Sequence, residues 1–112
     1  MTVRSLVVLP AVAALLVAGP AAAARKDTID VTAKDFSFTL SPKTVHAGQV
    51  TFVLRNDGQA SHDFAIDGHT SKVIAHGKTT RLTVTLKAGK YPYKCTVDSH
   101  AELGMKGVLD VK

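Results

Sequence analysis

From Asp27 to the C-terminus, apolar residues fall at alternate positions in short runs, and each run stops at a glycine, a proline or a polar turn cluster. Ile29 and Val31 alternate with polar neighbours in Asp27–Ala33, and Phe36 and Phe38 alternate ahead of Ser41-Pro42. Val50, Phe52 and Leu54 form the next run, closed by Asn56-Asp57-Gly58. His62–Ile66 ends at Asp67-Gly68, and Val73–Ala75 reads as an edge piece before His76-Gly77. Leu82, Val84 and Leu86 alternate up to the Lys87-Ala88-Gly89 turn, and Lys90–Thr96 and Gly107–Val111 complete the series. A period of two sends successive side chains to opposite faces, so each run buries one face and wets the other. No stretch carries a 3.6-residue period long enough for a major helix. The pattern predicts an all-β fold, a Greek-key sandwich of about seven or eight strands.

Residues 1–24 follow a different rule. Arg4 precedes the apolar stretch Leu6–Val17, Gly19-Pro20 interrupts it, and the small residues Ala21–Ala24 follow. A positive start, an apolar middle and a small-residue end are the requirements of a secretory signal. The uncharged stretch from Leu6 to Ala24 also has the minimum length of a membrane anchor. Its many alanines and the breaks at Pro10, Gly19 and Pro20 favour the signal. We expect residues 1–24 to be removed on export, leaving one domain over 25–112 in the periplasm or a similar exported location, with no stable membrane insertion.

Composition narrows the function. The chain has 112 residues, 14 Lys and Arg against 9 Asp and Glu, and a single cysteine. That length makes one small domain and excludes two-domain enzymes. One cysteine excludes an internal disulfide, and a small domain without disulfides gains stability from a bound metal. An oxidising compartment makes an unpaired thiol a liability unless it is buried or ligated. Cys95 therefore needs a reason to be there. The net charge of +5 comes without interleaved aromatics or a nucleic-acid motif, so no nucleic-acid partner is expected.

Strand alternation gives Cys95 that reason. Tyr91, Tyr93 and Cys95 share one face of their strand, and two aromatics mark it as the inner one. His62, Phe64 and Ile66 likewise share an inward face, opposite Asp63 and Ala65. His100 lies five residues beyond Cys95, and Met105 five beyond His100. One loop thus presents a thiolate, an imidazole and a thioether, with a second imidazole supplied by His62. Sulfur favours Cu(I), imidazole accepts Cu(II), and a weak thioether suits neither zinc nor a closed structural site. Taken singly, an inward cysteine or methionine is ordinary core filling. The joint arrangement points to one copper ion. His46, His69 and His76 flank turns and read as loop residues.

These residues carry a resemblance. Arg55–Ile66 and Ala88–Val111, with Gly89, Tyr91, Tyr93, Cys95, His100, Gly104-Met105 and Gly107 in order, resemble the small blue copper proteins, or cupredoxins, of the plastocyanin, azurin and auracyanin type. The resemblance implies one type 1 copper held equatorially by His62, Cys95 and His100, with Met105 as the long axial ligand. The four residues between Cys95 and His100 resemble the longer-loop members of the family. Three positions depart from its pattern. Asp98-Ser99 stands where many relatives have Pro-Gly, which leaves the loop without that rigidity. Asp63 stands where Asn is common, and is expected to hold Thr96 and with it the Cys95 segment. Pro92 lies inside the strand leading to Cys95 and requires a missing ladder bond there.

A copper with four protein ligands exchanges an electron but has no open position for substrate, so the expected role is a one-electron carrier and not an enzyme. Lys94 and Thr96 flank Cys95, where the multicopper oxidases of this fold have histidines. Partners are expected to be redox proteins docking near His100 among Ala101, Leu103, Gly104 and Met105, with the chain itself a monomer. Lysines at 72, 78, 87, 90, 94 and 106 either steer acidic partners or form an ordinary solvated surface. The rival readings are a periplasmic copper chaperone or store, which the scarcity of methionine opposes, and an immunoglobulin-like interaction module in which Cys95 merely fills the core.

Overall fold

A computed structural model describes Thr2 and residues 25–112. The expected export signal therefore lies, apart from Thr2, outside the described residues. Among the described residues no helix is long and apolar enough to cross a membrane. The described chain is all β, with nine strands: β1 (Arg25–Lys34), β2 (Ser37–Ser41), β3 (Thr44–Val45), β4 (Gly48–Asn56), β5 (Ala65–Ile66), β6 (His69–Thr70), β7 (Thr79–Leu86), β8 (Gly89–Lys94) and β9 (Lys106–Val111). They form two sheets in the orders β2-β1-β4-β7 and β3-β9-β8-β5-β6. This is the expected sandwich, with two-residue strands accounting for the higher count.

The core lies between the sheets and follows the alternation. Ile29, Val31 and Ala33 of β1, Val50, Phe52 and Leu54 of β4, and Val84 and Leu86 of β7 are all buried. Leu109 and Val111 of β9, with Phe64 and Ile66, close the core from the other sheet. Phe64 is its centre: its ring lies 4.9 Å from Phe52, 5.3 Å from Tyr93 and 5.4 Å from Phe38 between centroids. Tilted, stacked and edge contacts of this kind add to the burial of the rings themselves.

Two pairings decide where the site falls. β1 runs parallel to β4, pairing Ala33 with Asn56. That register brings the β1–β2 turn beside the Asn56-Asp57-Gly58 turn and the segment leading to His62. β8 pairs with β9 from Gly89↔Val111 to Lys94↔Lys106, which returns the chain beside Cys95 after the long loop. Pro92 is tolerated because β5 meets β8 only at Tyr93 and Lys94, so it faces Val108 on one side and no ladder on the other.

His62–Ile66 is not one continuous strand, and here the structure corrects the sequence reading. Only Ala65–Ile66 joins the sheet, while His62 makes an isolated bridge with Ile74 through both backbone groups, at 3.0 and 2.9 Å. Between them the Phe64 N–H donates to Ser71 Oγ and Ser71 N–H to the Phe64 carbonyl. A side chain thus stands in for a ladder partner, and Asp63 is buried instead of turned outward. His69 lies in β6 and not in a loop.

Candidate metal centre

Cys95 follows β8 directly, and its loop folds back on itself. The Cys95 N–H donates to the Met105 carbonyl at 3.0 Å, and the Met105 N–H to the His100 carbonyl at 3.1 Å. Further short-range bonds run from His100 to Val97, from Leu103 to Ser99 and from Gly104 to Ala101. Asp98 adopts a left-handed φ of 43°, a conformation that Asp tolerates better than most residues. The loop is therefore fixed by its own hydrogen bonds without the Pro-Gly pair.

Asp63 holds the loop from the other side. Its carboxylate accepts from the Thr96 N–H at 2.6 Å and from the Thr96 hydroxyl. Each bond has an ionised acceptor, which makes it stronger than a neutral pair. The expected link between the two ligand segments is present.

The donors converge. His62 Nδ1 and His100 Nδ1 lie 3.2 Å apart, and Cys95 Sγ lies 3.9 Å from the first and 3.6 Å from the second. All three donor atoms fall within 4.8 Å of one another, and each residue is buried. Met105, at the loop's end, is fully buried. Two nitrogens, one sulfur and a nearby thioether fit copper by donor chemistry, since this mixture serves both of its oxidation states. Burial pushes the Cys95 thiol above its ordinary pKa, so a metal taking the sulfur as thiolate displaces a proton. Burial also raises the Tyr93 hydroxyl.

Two residues of the site escaped the sequence reading. Asp35 Oδ1 accepts a 2.6 Å hydrogen bond from His62 Nε2, and its carboxylate also accepts from the Gln59 and Ala60 N–H groups. The Gln59 N–H, then His62, and to a lesser degree the Ala60 N–H hold Asp35 below its usual pKa. Phe36, which alternates with Phe38 in the sequence, lies just before β2, and its ring rests 4.8 Å from that of His100. Neither role has a local signal, because both depend on the β1–β4 register. His46 and His69 stay apart from the cluster, while His76 Nδ1 donates to the Gly58 carbonyl at 2.6 Å and braces the turn before His62.

Residues 7–110 match the family model of the cupredoxin-like domain. The chain belongs to the cupredoxin-like family. No curated protein matches it significantly. Among solved structures it is similar to auracyanin A, a "blue" copper protein from the green thermophilic photosynthetic bacterium Chloroflexus aurantiacus, with 23% identity, a TM-score of 0.68, and coverage of 79% of this chain and 100% of that one. Rusticyanin from Thiobacillus ferrooxidans is 23% identical with a TM-score of 0.60, covering 76% and 77%. A blue copper oxidase from Nitrosomonas europaea is 17% identical with a TM-score of 0.61, covering 79% of this chain but 39% of the oxidase. At these identities the likeness establishes the cupredoxin fold, and the donor cluster carries the chemistry.

Proposed function

We propose that this cupredoxin is an exported one-electron carrier, holding one copper ion through His62, Cys95, His100 and Met105. The carrying observation is the convergence of two imidazole nitrogens and one cysteine sulfur within 4.8 Å. When bound, the ion supplies the Cu(II)/Cu(I) couple.

The protein's part is to keep the donors in place while the charge changes. His62 is clamped by Asp35 and the Ile74 bridge, Cys95 by Met105 and by its neighbour Thr96, which Asp63 holds, and His100 by Val97. A site held this firmly moves little on electron transfer, which keeps the reorganisation small. Exposures of 0% for His62, 1% for Cys95, 0% for Met105 and 7% for His100 support a retained ion over the exposed donors a chaperone needs for rapid metal exchange. Lys94 and Thr96 beside Cys95 support a carrier over an oxidase. Phe36 and Leu103, both exposed near the His100 end, offer an apolar surface for brief docking of a redox partner.

Film voltammetry of the copper-loaded protein tests the reading. A carrier gives one reversible one-electron wave, with a blue colour that bleaches on reduction and returns on reoxidation. A Cu(I)-binding protein that never colours, or loses its copper on each cycle, contradicts it. Met105→Leu is expected to keep the colour and raise the potential, since it removes a weak donor to Cu(II); an unchanged potential means that Met105 is not axial.

A further inference from the structure

We infer that Asp35 is a positioning residue for the metal centre: it fixes His62 with the proton on Nε2, frees Nδ1 to face the metal, and biases the site toward the oxidised state. This rests on the copper reading above. A carboxylate has no hydrogen to give, so the 2.6 Å contact with His62 requires the ring to donate from Nε2. The ring's remaining lone pair is then on Nδ1, the atom that lies within 4 Å of both Cys95 Sγ and His100 Nδ1.

Three features show that the contact is built into the fold. Asp35 is itself held by Gln59 and Ala60, whose N–H groups lie 2.9 and 3.2 Å from its oxygens. Asn56, fully buried, fixes the same turn by donating to the Ala60 and Ile74 carbonyls and accepting from the Gly58 N–H. Gly58 leaves the necessary space: a methyl group there would overlap Asp35 Oδ1 and lie 2.8 Å from His62 Nε2. The β1–β2 turn and the turn before His62 therefore meet so that the carboxylate reaches the ring.

The electronic consequence has a definite sign. An anion on Nε2–H makes Nδ1 a better donor and places negative charge one ring away from the metal. The oxidised state, with one more positive charge, gains more from both effects. Removing the charge therefore raises the potential. Substitutions at such carboxylate–histidine partners change metal affinity by roughly 10–100-fold; a roughly tenfold loss that falls on Cu(II) and spares Cu(I) raises the potential by about 59 mV for one electron.

The test compares wild type with Asp35→Asn and Asp35→Ala. In the copper-free protein above the pH at which imidazole titrates, nitrogen-15 NMR of the ring is expected to show His62 as the Nε2–H tautomer in wild type and Asp35→Asn, and as a mixture in Asp35→Ala. After copper loading, Asp35→Asn is expected to stay blue with a potential raised by about 59 mV, the tenfold loss above. Asn keeps an oxygen on the ring and removes the charge, so this variant answers even if Asp35→Ala does not fold. An Nδ1–H tautomer in wild type, or an unchanged potential in a blue Asp35→Asn protein, overturns the inference. A wild-type protein that stays colourless instead refutes the copper reading, and the copper-free tautomer still decides whether Asp35 orients His62.

Discussion

Asp63→Ala is expected to cut the tie between the two ligand segments at a calculable cost. The Asp63 carboxylate receives both the backbone N–H and the hydroxyl of Thr96, and the residue is 2% exposed. Hydrogen bonds to a charged group contribute about 1.5–3 kcal/mol each. Thr96 itself is exposed, so water recovers part of both bonds once the carboxylate is gone. The net loss is therefore about 2–4 kcal/mol, a substantial fraction of the 5–15 kcal/mol typical of a whole domain. Asp63→Asn keeps one acceptor oxygen, and the Thr96 hydroxyl turns to accept from the new amide; its cost is about 1–2 kcal/mol. Urea unfolding of the copper-free variants gives these differences, and combining Asp63→Ala with Thr96→Ala isolates the hydroxyl's share. Copper affinity, read by competition with a chelator, is expected to fall about 10–100-fold in Asp63→Ala, because Cys95 loses its fixed neighbour. An Asp63→Ala protein within about 0.5 kcal/mol of wild type, with unchanged copper affinity, would refute the reasoning.

Phe64→Ala removes the ring around which Phe52, Tyr93 and Phe38 pack and is expected to cost about 3–5 kcal/mol in urea unfolding; a loss below about 1 kcal/mol contradicts the placement of the core. Gly58→Ala must push Asp35 from His62, costing about 1–3 kcal/mol and raising the potential as Asp35→Asn does; an unaltered potential means that the two side chains do not meet there. Gly107→Ala drives a methyl group into the Tyr93 ring and hydroxyl and is expected to lower the thermal midpoint, whereas an unchanged midpoint argues against that packing.

The alternating runs made most of this fold legible, because β1, β4 and β7 are long enough for a period of two to be unambiguous. The alternation in His62–Ile66 predicts more strand than forms, because five alternating residues do not reveal that Ser71 Oγ replaces a ladder partner at Phe64. The convergence of Cys95 and His100 was legible because the two residues are close in sequence and the resemblance to the family is local. Inward-facing alternation brought His62 into the cluster, and the likeness of Asp63 to a common Asn gave its tie to Thr96. Asp35 and Phe36 stayed hidden because they reach the histidines only through the parallel pairing of Ala33 with Asn56, and long-range register leaves no mark in either segment alone.

X-ray absorption fine structure at the copper edge of the loaded protein asks the question most directly. Two nitrogens and one short sulfur around each copper, with the sulfur lost in Cys95→Ser, is the outcome this arrangement of side chains predicts. A shell of nitrogen and oxygen alone in the wild-type protein would mean that Cys95 and the two histidines do not share an ion.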